Sequence, residues 1–233
     1  MPEYKPFCLE VWGDFACFTR PELKSEPYSY DVPTPSAVRG VFDAILWKPA
    51  IRWVVRRIEV LAPIKWFSIR RNEVTECASP EKRLFLIEEH RSQRTATILR
   101  DVRYRFYATL EFIPPDIRTP PNTAASQLSG KLDDDSSDES AGKYLAMFER
   151  RARNGQCFNQ PYLGCREFTC FFRLVDDPQS ALLQPIDDTR DLGIMLYDMD
   201  FSNPAKPQPT FYRAYMERGV IEVPPPTSTE ILR

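Results

Sequence analysis

A chain of 233 residues, 42% hydrophobic and 12% aromatic, can bury a core of its own and has the length of one large domain or two small ones. No apolar run approaches the ~20 residues of a membrane span. The opening MPEYKPFCLE has neither the basic nor the apolar region of a secretory leader, so a cytoplasmic protein with no membrane partner is expected. The net charge of −2 speaks against a uniformly basic nucleic-acid binder, yet residues 36–110 hold 15 Lys/Arg against 8 Asp/Glu, which makes that half the candidate anion-binding surface. Six cysteines, at 8, 17, 77, 157, 165 and 170, form no CxxC pair and have no flanking histidines. Buried free thiols are expected, with no metal site and no cofactor.

Phe7 to Phe18 (FCLEVWGDFACF) alternates and is rich in β-favouring residues, which predicts a strand. The polar stretch with Pro21 and Pro27 reads as a loop. Thr34 and Pro35 supply an N-cap and a proline for the first helical position, and Ala37, Val38, Val41, Phe42 and Ile45 follow at helical spacing; the helix should end before Pro49. Ile51–Leu61 is a β-branched strand punctuated by arginine, Ile64–Val74 reads as its hairpin partner, and Thr97–Phe112 alternates strongly. Residues 114–140 combine prolines, small polar residues and the acidic run Asp133, Asp134, Asp135, Asp138 and Glu139, which predicts a mobile loop.

In Ala141–Asn154, Leu145, Phe148 and Ala152 mark one helix face, with Arg150, Arg151 and Arg153 near the end where cations suit the macrodipole and Gly155 as C-cap. Phe168–Val175 completes a β-α-β-β-α-β order. The predicted class is therefore α+β: a ferredoxin-like or RRM-like domain with insertions over residues 1–176, then a small antiparallel β-sheet domain over 177–233. The second is read from short strands at Asp191–Phe201, Phe211–Met216 and Gly219–Val223, with a tight turn at 217–219 and an extended Pro224–Pro226 tail.

Walker, GxGxxG, GxSxG and HExxH signatures are absent, which removes the commonest nucleotide-dependent, hydrolase and zinc-protease classes. His90, the only histidine, sits in the charged segment EEHRSQR with no sequence sign of a triad. The acidic run reads as solvated carboxylates rather than metal ligands. Arginines interleaved with aromatics (Arg52, Trp53, Arg56, Arg57; Arg103, Tyr104, Arg105, Phe106, Tyr107) offer cations for phosphates and flat faces for unstacked bases, but a strand solvated on one face gives the same pattern.

The strings VWGDFACFTRPE (11–22), YSYDVPTPSAVRG (28–40), ILWKPAIRW (45–53), AGKYLAMFERRARNGQ (141–156) and LGCREF (163–168), in this order, resemble the CRISPR-associated Cas-five family of the RAMP superfamily in its subtype I-C (Dvulg) form. The resemblance covers most of the chain. It implies an RRM-like domain with a smaller C-terminal sheet. It also implies a protein that binds the repeat hairpin of precursor CRISPR RNA, cuts at its base without metal, and keeps the 5′ handle as part of a surveillance complex with backbone and large subunits.

Such cleavage uses the RNA's own 2′-OH, so the protein must take a proton, supply one to the leaving 5′ oxygen and stabilise charge on phosphate. Many family members open the second helix with Lys-His and place an aromatic or histidine before the WKP motif. Here the pair is Lys143–Tyr144 and the residue before Trp47 is Leu46. The resemblance therefore implies Lys143 as electrostatic stabiliser and Tyr144 either as general acid or as a packing or stacking residue. Lys48, Arg39, Arg71, Arg150, Arg151 and Arg166 are the expected RNA contacts. Two other readings stay open: a non-catalytic subunit that only holds the handle, and a DNA-binding or metal-dependent DNase protein using the basic face and the acidic loop.

Overall fold

The computed structural model describes residues 4–23, 26–75, 86–114, 118, 139–203 and 205–233. The elements in chain order are β1 (Phe7–Ala16), α1 (Pro35–Ile45), β2 (Ile51–Val60), β3 (Trp66–Val74), a 3-10 turn (Ile87–His90), β4 (Arg91–Phe112), α2 (Ala141–Arg153), β5 (Phe171–Leu174), β6 (Arg190–Asp200), β7 (Gln208–Met216) and β8 (Val220–Glu222). The expected mobile loop falls almost wholly outside the described residues.

The main sheet has the order β5-β1-β4-β2-β8 with antiparallel pairings. Its first four strands, with α1 after β1 and α2 after β4, give the ferredoxin-like arrangement that the element order predicted. Two pairings differ from the sequence reading. β3 is not the partner of β2; it pairs with residues 91–99 of β4, a strand of 22 residues whose other half lies between β1 and β2. Near the changeover Asp101 has a φ of 54°, between the pairs Phe15–Arg100 and Gly13–Val102, and the β1–β4 register runs through it unbroken. β8 does not extend the C-terminal sheet either. Arg218 and Gly219, both with positive φ (48° and 76°), turn the chain so that β8 pairs with β2, and β6–β7 remains a two-stranded sheet.

Period-2 alternation sorts the main sheet into two faces. Leu9, Val11, Trp53, Val55, Tyr104, Phe106, Ala108 and Leu110 point to the helices, where Val38, Val41, Phe42 and Ile45 of α1 and Tyr144, Phe148 and Ala152 of α2 meet them in one core. Trp53 lies at its centre, 4.4 Å from Phe148 and 5.0 Å from Phe42 between ring centroids. Met195, Tyr212 and Ala214 from β6–β7 join the same core. Among the described residues no helix is long and apolar enough to cross a membrane.

Candidate nucleic-acid interface

The face of the sheet away from the helices carries the arginines that the sequence set among aromatics, and it neutralises them. Glu10, with a side chain 1% exposed, accepts from Arg103 Nε at 2.7 Å and from Arg173 Nη2 at 2.8 Å. Burial alone would raise its carboxyl; those hydrogen bonds and the two positive charges outweigh it and hold the pKa below the usual carboxylate value. Arg105, buried, donates to Glu59 at 2.9 Å and to the carbonyl of Leu183, whose segment lies over the sheet. Arg52 pairs with Glu111, and Arg57 with Glu59 and Glu222. The interleaved Trp53, Tyr104 and Phe106 are core. The interleaving is therefore strand alternation: most of its cations are paired with carboxylates, Arg56 bonds Thr109, and the ring this face leaves most open is Phe171, 66% exposed and stacked on Trp12.

The end of the sheet where β2 begins and β4 finishes is different. Ile113 N–H donates to Ala50 O at 2.8 Å and Ile51 N–H to Lys48 O at 3.1 Å, which fixes the Trp47-Lys48-Pro49 turn beside the end of β4. Phe112, the last residue of β4, stacks on Tyr144 with centroids 6.2 Å apart. Lys48 from the α1–β2 connection and Lys143 from the first turn of α2 are thereby brought to one end of the molecule. Ser140 caps α2 by accepting from Lys143 N–H at 3.3 Å, and the positive end of the helix dipole faces outward there.

Tyr144 itself is only 1% exposed. Its hydroxyl donates to Glu139 Oε1 at 2.6 Å, while Glu139 Oε2 takes a hydrogen bond from Arg118, whose guanidinium also lies over the Phe112 ring. Glu139 and Arg118 are half-buried, with side chains 17% and 20% exposed. Neither was singled out as a site residue: Glu139 reads as one more acid of the 133–139 run and Arg118 as part of the expected loop. The signal that was available is Glu139 standing immediately before the Ser140 N-cap of a helix that opens with Lys143.

The other expected contacts divide. Arg39, partly exposed, is held in ion pairs, bonded by two nitrogens to Asp198 on β6 and by Nη1 to Asp43 at 2.9 Å, and so ties α1 to the C-terminal sheet. Arg71 pairs with Glu167 beside Cys17 and Cys165; a hydrogen bond from Cys165 lowers the Cys17 thiol pKa against the effect of burial, and Thr19 and Arg71 lower it further. Arg151 Nη1 donates to Ile45 O at 2.9 Å and closes the C-terminal end of α1. Arg150 and Arg166 are exposed and make no side-chain bond among the described residues. Leu46, at 0% exposure, is core, and its carbonyl accepts from Trp53 Nε1 at 3.0 Å. Beside it Trp47 is 55% exposed, on the rim of an open depression of about 600 Å³ that Phe158, Tyr162 and Arg166 also line. Among the described residues no group of three or more His, Cys, Asp or Glu stands where a metal ion could be held.

Residues 7–224 match the profile of the CRISPR-associated Cas5 proteins in their Cas5d form. The chain belongs to this family. It is 42% identical to the CRISPR pre-crRNA endoribonuclease Cas5d of Mannheimia succiniciproducens over 97% of both chains. The protein of the same name from Thermus thermophilus is 36% identical over 97% of this chain and 94% of that one. A chain of a solved CRISPR RNA-guided surveillance complex shares the fold, with a TM-score of 0.53 at 12% identity, covering 95% of this chain and 92% of that one. Lys143 at the start of the second helix and the Trp47-Lys48-Pro49 turn both lie at the sheet end just described.

Proposed function

We propose that this chain binds the repeat of precursor CRISPR RNA and cuts it at the base of the repeat hairpin, then holds the 5′ handle within a surveillance complex alongside backbone and large subunits. The observation that carries this reading is the near full-length identity to two proteins named pre-crRNA endoribonucleases, together with the clustering of Lys143, Lys48 and the α2 N-terminus at one end of the sheet.

The chemistry follows from the residues present. A tyrosine, with a reference pKa of ~10, is a poor base at neutral pH, and the Tyr144 hydroxyl faces Glu139 from inside the core. A carboxylate is the stronger acceptor. In the proposed reaction Glu139 takes the proton of the 2′-OH, the 2′ oxygen attacks the adjacent phosphorus, and the P–O5′ bond breaks. The Lys143 ammonium, with the helix N-terminus, stabilises the charge on phosphate and gives a proton to the leaving 5′ oxygen. The products are a 2′,3′-cyclic phosphate and a 5′-OH. Tyr144 and Arg118 position Glu139, and Lys48 and Arg150 hold RNA phosphates.

The test is single-turnover cleavage of the cognate repeat hairpin in chelator, with native RNA and with 2′-deoxy at the scissile nucleotide. Native RNA is cut and deoxy RNA is not; Lys143→Ala and Glu139→Gln lower the rate by about 100-fold or more, and Tyr144→Phe by less. Unchanged rates in both of the first two variants would refute the mechanism. One observation favours a second reading, a non-catalytic handle-binding subunit: Leu46, where the resemblance implies an aromatic or histidine, is fully buried. That reading requires tight hairpin binding with no product at any pH.

A further inference from the structure

We infer that the depression between the C-terminal end of α1 and the 156–170 connection is a base-binding subsite, which takes one unpaired nucleotide of the RNA against the rings of Trp47 and Phe158 with its phosphate on Arg166. The inference rests on the reading of the chain as a repeat-RNA-binding subunit.

Two apolar rings are held out of the core by their backbones. Phe158 is 75% exposed, although its N–H donates to Ala44 O at 2.8 Å and the next N–H to the same carbonyl at 3.1 Å. Trp47 is 55% exposed directly after Leu46, whose N–H is bonded to Phe42 O, and before the fixed Lys48–Ile51 turn. The backbone positions of both residues are thus set by main-chain bonds at the end of α1, and the side chains face solvent. Neither ring, nor that of Tyr162, makes a ring contact among the described residues, though all three line one depression. Unstacked aromatic faces beside an exposed guanidinium are what an unpaired base and its phosphate require.

Two further features suit this ligand. Gly40, in mid-helix, costs α1 about 1 kcal/mol relative to alanine. No atom lies within 4 Å of the position its Cβ would take, so core packing does not demand a glycine there, and its bare backbone forms part of the floor. Gln160 donates through Nε2 to Cys170 O at 2.9 Å, which orients its amide and leaves Oε1 to accept from a base edge.

The experiment measures the affinity of the cognate repeat hairpin, intact and with a single abasic site moved along its unpaired flanks, for the wild-type chain and for Trp47→Ala/Phe158→Ala. One abasic position weakens wild-type binding by about 5- to 150-fold, the range expected for one stacked base, and the same lesion changes binding to the double variant by less than about twofold. Arg166→Gln lowers the salt slope of binding by about one. Both substituted rings are exposed, so the variant keeps the wild-type melting temperature. If the abasic losses are equal in the two proteins at every position, the subsite does not exist. If RNA binding is untouched and only assembly with the other subunits fails, the depression is a protein-docking surface and the inference is overturned. Absence of RNA binding by the wild type would instead sink the functional reading beneath it.

Discussion

Glu10→Gln separates the two roles that a charged sheet face can have. The wild-type carboxylate is buried and bonded to two guanidiniums whose side chains are 35% (Arg103) and 57% (Arg173) exposed. Breaking a fully buried pair costs about 3–5 kcal/mol. Here both arginines reach water and can rehydrate, so the expected loss is about 1.5–3 kcal/mol. For a chain of this size that lowers the melting temperature by about 3–12 °C. The pH dependence has a definite sign. The folded pKa of Glu10 lies below the unfolded value, so its contribution is complete above about 4.5 and is lost as pH falls through the folded pKa. The gap in melting temperature between wild type and variant is therefore constant at neutral pH and closes in acid. RNA affinity, measured alongside by filter binding, stays within about twofold, because this face is scaffold. An unchanged melting temperature would refute the energetics. A tighter, more salt-dependent RNA complex would show instead that freed Arg103 and Arg173 bind RNA.

Three other outcomes are expected. Gly164→Ala does not accumulate as folded protein, because Gly164 has a φ of 84° and a Cβ there would lie 1.9 Å from Cys17 O; soluble yield and circular dichroism report this. Leu46→His does not raise the cleavage rate and lowers stability by about 2–4 kcal/mol in urea titration, since it places a polar ring in a fully buried site. Burial pushes the Cys8 and Cys170 thiols up to about 12, so at pH 8 iodoacetamide leaves both unlabelled by mass spectrometry until urea is added; labelling in the native state would contradict the packing.

The ferredoxin-like order was legible because each element carries a local signal. Thr34-Pro35 starts α1, and Gly155 (φ 63°) follows the end of α2. The strands alternate with period 2. The partner of β3 was not legible, because Trp66–Val74 alternates equally well against either neighbour; it was decided by β4 running back to residue 91, beyond its pairing with β2. The same limit applied to the arginines. Sequence showed cations and rings in alternation, but only pairing across strands placed Glu10 opposite Arg105 and Arg173 and Glu59 opposite Arg105.

The sequence by itself determined the family, the element order and the presence of Lys143 at the start of a helix, since these depend on residue identity and local spacing. Tertiary structure alone decided which charges are open. Arg39 and Arg151 are consumed by carboxylate and carbonyl groups 159 and 106 positions away along the chain, whereas Arg150 and Arg166 are left to solvent. It also paired Glu139 with Tyr144 and Arg118, and set Trp47 and Phe158 around one depression. Apart from Glu139–Tyr144, five positions apart, such contacts join residues distant in sequence, and no local propensity encodes them.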